Sequence, residues 1–213
     1  MIAPDRFISI AEENGLIVPI GRWVLNKACE QAGSWHRAGH PIGISVNVSA
    51  VQLESDELIE DVRHVLIRTG LPAEALTLEV TESALMKDVE GATSRMRRLK
   101  ELGVRIAIDD FGTGYSSLAY LRQFPIDALK IDRSFIAGLL EATDQSTAII
   151  QTLIQLGKTL NIETLAEGIE QHAQLQQLEA TDVDQGQGFL FARPLDLEAV
   201  EKLMNLKGSG AGV

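Results

Sequence analysis

The chain has 213 residues, 45% of them hydrophobic and 23% charged, with a formal net charge of −11 and a single cysteine. That length fits one α/β domain with a substantial core, and the acidic balance argues against binding a long nucleic acid through counterion release. Cys29 has no partner for an intramolecular disulfide, no apolar run is long enough to span a membrane, and the amino terminus lacks a signal-like pattern; a soluble, cytoplasmic protein is the expectation.

The amino-terminal third reads as helical, over 7–10 and again over 23–35, with Cys29 on an apolar face and no strand. The first strand is expected over 42–48. Ser55 then caps a helix whose Leu58, Ile59, Val62, Val65 and Leu66 recur at three and four residues, and Gly70 supplies a left-handed stop. A strand over 76–80 precedes a helix that starts at Asp88, buries Met96 and Leu99, and ends before Gly103. Its basic run, Arg95 to Lys100, keeps helical spacing and reads as a solvated face, not a nucleic-acid patch. Strands over 105–109 and 128–131 come next. A helix over 147–160 follows, with Ile149, Ile150, Leu153, Ile154 and Leu156 facing inward, then a strand over 163–166 and a weaker one near Val183. Residues 1–207 form one domain on this reading and 208–213 a flexible tail. The alternation implies repeated βα units around a parallel sheet. A TIM-barrel-like (β/α) barrel is favoured over an open doubly wound sheet, because no Gly-rich dinucleotide loop follows any strand.

Each apolar run stops at a polar residue. The runs deliver Asn47, Glu79 with Glu82 three further on, Asp109 and Asp110, Lys130, Glu167, and finally Gln187. In a parallel barrel the carboxyl ends of all strands open onto one face, so these groups converge there. Several carboxylates and an amide oxygen suit hard cations such as Mg²⁺ or Mn²⁺, and two such ions suit in-line attack of water on a phosphodiester. Alone, Asn47 could merely bond backbone and Asp109-Asp110 could be an acidic turn. Glu79 and Lys130 are harder to dismiss, since strand alternation turns Glu79 inward and a buried charge of either sign needs partners. Glu167 and Glu170 flank Gly168, where a tight turn can bring backbone close to a ligand. The four histidines show no metal-ligand spacing, and Ser116 and Ser117 lack a companion histidine.

The runs Ser45-Val46-Asn47-Val48-Ser49, Leu78-Glu79-Val80-Thr81-Glu82-Ser83, Ile108-Asp109-Asp110-Phe111-Gly112-Thr113-Gly114-Tyr115-Ser116-Ser117-Leu118, Leu129-Lys130-Ile131-Asp132, Ala166-Glu167-Gly168-Ile169-Glu170 and Gln187-Gly188-Phe189 resemble, in order and spacing, the EAL-type cyclic di-GMP phosphodiesterases. The resemblance implies a modified TIM barrel that opens cyclic di-GMP into linear pGpG with two Mg²⁺ or Mn²⁺ ions. It implies Asn47, Glu79 and Asp109 as ligands of one metal, and Asp109, Asp110 and Glu167 as ligands of the other. Lys130 would position or activate the attacking water and Glu167 would be the general base. Gln187 would reach the substrate and Glu170 support the site. Glu82 would brace the loop from Phe111 to Ser117, which in the family links metal binding to dimerisation, so a homodimer is expected.

One departure from the family pattern bears on activity. The Glu-Ala-Leu that the family carries on an early barrel strand, ahead of the Asn47 strand, and the Arg that follows it are absent, and the chain opens at Ile2 to Ile8, which looks like the segment just after that strand. The expectation is a barrel without its first two strands, open-edged beside the Asn47 and Gln187 strands, with weakened metal binding. Those edges should pair with another copy, be closed by rearranged termini, or mark a piece of a longer protein. A catalytically inactive EAL-type module that binds cyclic di-GMP or a protein partner is therefore the alternative to an enzyme. Setting the resemblance aside leaves an unrelated metal-dependent barrel of aldolase or enolase type, with Lys130 as its reactive lysine.

Overall fold

The computed structural model describes residues 3–112, 118–140 and 144–208. Its elements in chain order begin with helices α1 (Ile8–Glu13) and α2 (Ile17–Arg37), strand β1 (Ile44–Val48), α3 (Ala50–Leu53) and α4 (Glu57–Thr69). Then come β2 (Leu76–Thr81), α5 (Glu82–Leu85), α6 (Val89–Glu101), β3 (Arg105–Phe111), α7 (Leu118–Leu121), β4 (Ala128–Ile131) and α8 (Arg133–Ala137). The last are α9 (Asp144–Leu160), β5 (Glu163–Glu167), α10 (His172–Glu179), β6 (Gln185–Gln187) and α11 (Leu197–Gly208).

The six strands make one sheet in sequential order, every pair parallel, curled as a half-barrel of the expected TIM-barrel-like kind. Alternation divides each strand between two environments. Val46, Val48, Leu78, Val80, Ile106, Ile108, Leu129, Ile131 and Ala166 are buried in the core cluster with Ile59, Val62, Met96, Leu99, Ile150 and Ile154 of the helices. Full burial of one such side chain contributes about 1.5–3 kcal/mol, so this layer fixes the register and leaves the opposite strand face free for polar groups.

Local signals account for most boundaries. Gly70 closes α4 at φ 65°, and Asp88 caps α6 by accepting the Gly91 N–H at 3.0 Å. Ser55 accepts the Glu57 N–H at 3.2 Å, although the capping position itself is Asp56. Two expectations need correction. Helix α2 begins at Ile17, six residues before the periodic signal, because Pro19 lies in the first turn, where it removes no hydrogen bond. Ile149 of α9 is 41% exposed and does not face inward, whereas Ile150, Leu153 and Ile154 are buried. The expected tail falls on 209–213, outside the described residues, apart from Gly208, which ends α11.

Among the described residues no strand pairs with the outer edge of β1 or β6. An apolar groove of about 630 Å³ runs beside β1, lined by Ile8, Ile17, Val24, Asn47 and Ala84 among others. Trp35 donates to Glu201 at 3.4 Å, so α11, which follows β6, touches the helix that precedes β1. No described helix is long and apolar enough to cross a membrane. The basic run on α6 is engaged in ion pairs, Arg95 and Arg98 with Asp56 and Lys100 with Asp127.

Candidate active site

Lys130 is the centre of the polar face. It is 4% exposed, and its Nζ lies 2.6 Å from Glu79 Oε2, 2.7 Å from Glu167 Oε1 and 3.0 Å from Asp109 Oδ1. Four strands thus send one side chain each to a single point. Burial pulls the Lys130 ammonium down, but the hydrogen bonds with Glu167 and Glu79 outweigh it and hold its pKa above the usual lysine value. Three carboxylates against one ammonium leave two formal negative charges in a confined space.

A β-bulge adds a fourth acid. Ala107 and Ile108 pair with Ala128 and Leu129, yet Phe111 pairs with Ile131, so β3 takes three steps where β4 takes two. Asp110 adopts φ 54°, a left-handed conformation that Asp tolerates better than most residues. Regular alternation would send Asp110 to the helix side. With the bulge, oxygens of Asp109, Asp110 and Glu167 all lie within 4.8 Å of one another, a set able to hold a metal ion. Burial and the charges of Asp109 and Asp132 push the Asp110 carboxyl up. Burial, helped by the charges of Asp109 and Glu79, likewise pushes Glu167 up against the pull of Lys130. Both carboxyls therefore sit where negative charge is in excess. The donors are hard oxygens, and the Lys130 ammonium is a stand-in cation among them, so the residues present fit a divalent ion.

The other expected residues fall around this cluster. Gln187 donates from Nε2 to Glu167 Oε1 at 2.9 Å, across the pair that aligns β5 with β6. Glu82 is buried at the start of α5 and accepts the Gly112 N–H at 3.0 Å; the rest of the loop it was expected to brace, 113–117, lies outside the described residues. Asn47 is in register with Glu79 but exposed on the β1 edge. Glu170 lines a cavity of about 430 Å³ with Glu167, Gln187, Arg133, Phe189 and Arg193, the last stacked over the Phe189 ring at 4.8 Å. Gly168 turns at φ 75° with Arg133 packed against it.

Asp132 lies beside the cluster, where its charge and a side-chain hydrogen bond act on Asp110, and sequence alone gives it no role. It caps α8 by accepting from the Ser134 backbone N–H at 3.0 Å. Burial opposes its charge, but the Ser134 hydrogen bonds win and hold its carboxyl below the usual range. The signal was its spacing, two residues after inward-facing Lys130.

A family model described as EAL domain matches residues 1–194. The cyclic di-GMP phosphodiesterase NbdA of Pseudomonas aeruginosa is 46% identical over 205 residues, 96% of this chain and 26% of that protein. The signaling protein YkoW of Bacillus subtilis is 43% identical over 201 residues, 94% of this chain and 25% of that protein. Thus the chain spans about a quarter of the length of these relatives. Among solved structures, the PaMucR phosphodiesterase in complex with c-di-GMP superposes with a TM-score of 0.90 at 44% identity, covering 93% of this chain and 81% of that one.

Proposed function

The chain belongs to the EAL domain family, and from that premise we propose that it hydrolyses cyclic di-GMP to linear pGpG at the carboxyl ends of its strands. The observation that carries this reading is the convergence of Asp109, Asp110 and Glu167 within 4.8 Å beside a buried lysine. Two Mg²⁺ or Mn²⁺ ions would be held, one by Asn47, Glu79 and Asp109 and one by Asp109, Asp110 and Glu167. Such ions, when bound, supply Lewis-acid activation of water and of the phosphodiester. The chain's own groups do the rest. Lys130 orients the attacking water from the floor of the cup. Glu167 accepts the water's proton as the new P–O bond forms and the ribose oxygen leaves, that oxygen taking up a proton from solvent to become a hydroxyl. Gln187 holds Glu167 and reaches toward the substrate, Glu170 supports the cavity beside it, and Glu82 anchors the start of the loop after β3. A cytoplasmic homodimer is part of the same reading.

One observation favours a second reading, a binding module without turnover: Asn47 sits on an edge strand whose outer side no described strand pairs, so that end of the ligand set is open. Incubation with cyclic di-GMP and Mg²⁺ or Mn²⁺, with Asp109→Asn as control, separates the two. Formation of pGpG by the parent and not by the variant supports hydrolysis. Retained nucleotide binding without pGpG would overturn it in favour of the binding module.

A further inference from the structure

We infer that Gln174 is a positioning residue for substrate binding: it ties the turn after β5 to α8, fixes two walls of the cavity beside the cluster, and so sets KM and not kcat. This rests on the reading above that cyclic di-GMP is bound here. Gln174 lies in α10 and is 4% exposed, and its amide is engaged at both ends. Its Oε1 accepts the backbone N–H groups of Glu170 and Gln171, each at 2.9 Å, which caps α10. Its Nε2 reaches out of that helix and donates to the Ile136 carbonyl of α8 at 3.1 Å. A buried amide held in this way resists change, because a group left unpaired there costs more than the bond it loses.

The tie matters because of what each side carries. Glu170 from the turn and Arg133 from the start of α8 both line the cavity of about 430 Å³, so Gln174 governs the spacing of a carboxylate and a guanidinium that face its occupant. Gly168 meets Arg133 at one end of this seam, and Gln174 closes the other. Glu167, by contrast, is held without Gln174. Its pairing with Gln187 in the sheet and its bonds with Lys130 and the Gln187 amide fix it from β4 and β6, and the Ile169 N–H is held by the Gln187 carbonyl at 3.1 Å. Loss of the tie therefore disturbs the cavity walls and spares the candidate base, which is a change in binding and not in the chemical step.

Two variants test this, assayed at about pH 8, where a glutamate at this position is ionised. Gln174→Glu keeps an oxygen for the Glu170 and Gln171 N–H groups, at a helix N-terminus that favours its charge, but turns a second oxygen on the Ile136 carbonyl and breaks the tie. Gln174→Met keeps the length of the side chain and loses both the cap and the tie; where it fails to fold, Gln174→Glu alone decides. Steady-state hydrolysis with Mn²⁺ gives KM and kcat, and calorimetric titration with cyclic di-GMP gives a Kd that replaces KM for a parent that binds without turnover. The inference expects KM to rise about three- to tenfold, the worth of one hydrogen bond, with kcat within about twofold of the parent's. A residue that merely caps α10 would shift the melting temperature and leave KM alone. An unchanged KM or Kd in Gln174→Glu, or a fall in kcat as large as the rise in KM, overturns the inference and leaves the reading above standing. If the parent neither binds nor cleaves cyclic di-GMP, both fall.

Discussion

The backbone at Asp110 offers a quantitative test of how the site is assembled. Left-handed backbone costs an ordinary L-residue about 1–2 kcal/mol and glycine almost nothing, and Asp110 sits there at φ 54°. Two variants, Asp110→Gly and Asp110→Ala, both lack the carboxylate, so whatever the side chain touches cancels between them. Their difference should be about 1 kcal/mol in favour of Gly, once the lower unfolded-state entropy of Ala is subtracted. The parent adds a charge term. Burial, Asp109 and Asp132 raise the Asp110 pKa, so its ionised form is disfavoured without metal, and Asp110→Gly should equal or exceed the parent's stability in EDTA. Saturating Mn²⁺ should reverse that order, because only the parent keeps the full ligand set; a ligand at a hundred times its Kd stabilises by about 2.7 kcal/mol. Urea unfolding followed by circular dichroism, in EDTA and in Mn²⁺, measures all three proteins. Equal stabilities for the Gly and Ala variants would refute the strained bulge, and loss of stability in EDTA for Asp110→Gly would refute the excess of negative charge at this position.

Two further outcomes follow from the same structure. A methyl group at Gly188 would fall inside the backbone of Ile169, whose carbonyl also accepts the Leu190 N–H at 2.9 Å, so Gly188→Ala should cost about 1–3 kcal/mol in urea unfolding, whereas Gly43→Ala, facing the Ala75 carbonyl at 3.6 Å, should stay within about 0.5 kcal/mol of the parent. Glu167 and Asp110 have folded pKa values above their unfolded ones, so the stability they contribute is complete below the unfolded carboxylate range and lost as pH rises through the raised values; in EDTA the melting temperature should therefore climb from neutral pH toward acid more steeply in the parent than in Asp110→Asn/Glu167→Gln, and equal slopes would count against the shifts.

What could be read from sequence was whatever period and punctuation encode. The strand over 128–131 coincides with β4, and Gly70 and Asp88 end and start helices as capping chemistry requires. Inward placement of Glu79 and Lys130 followed from alternation alone. The bulge in β3 did not, because a one-residue slip leaves no mark in a run of apolar residues followed by two acids, and the pairing with β4 that reveals it is a long-range property. Helix α2 was under-read because Pro19 and Gly21 resemble breakers until their positions are known. Gly21 is where the side chain of Gln52 packs against α2, a contact no local window contains. Short helices such as α5 and α8, and α10 and α11 near the end, escaped because a turn or two carries little periodicity or because tertiary contacts define them.

Charge balance within the half-barrel sets one end of the sheet apart from the other as the candidate place for chemistry. At the amino ends of the strands Arg105 pairs with Glu163 at 2.6 Å, Lys100 with Asp127 at 2.6 Å, and Asp184 accepts the Thr164 N–H and hydroxyl, so each acid there has a donor of its own. Ala107 and Ala128, small and directly opposed, separate this layer from the next. At the carboxyl ends one ammonium serves three acids, and the bulge brings in a fourth. A protein selected only for stability would replace such a cluster, since buried ion groups of this kind rarely repay their desolvation. The surplus of negative charge persists where four strands converge, held by a lysine that cannot neutralise it. That imbalance, more than the presence of any single acid, singles out the face as a candidate site for positive charge from outside the chain.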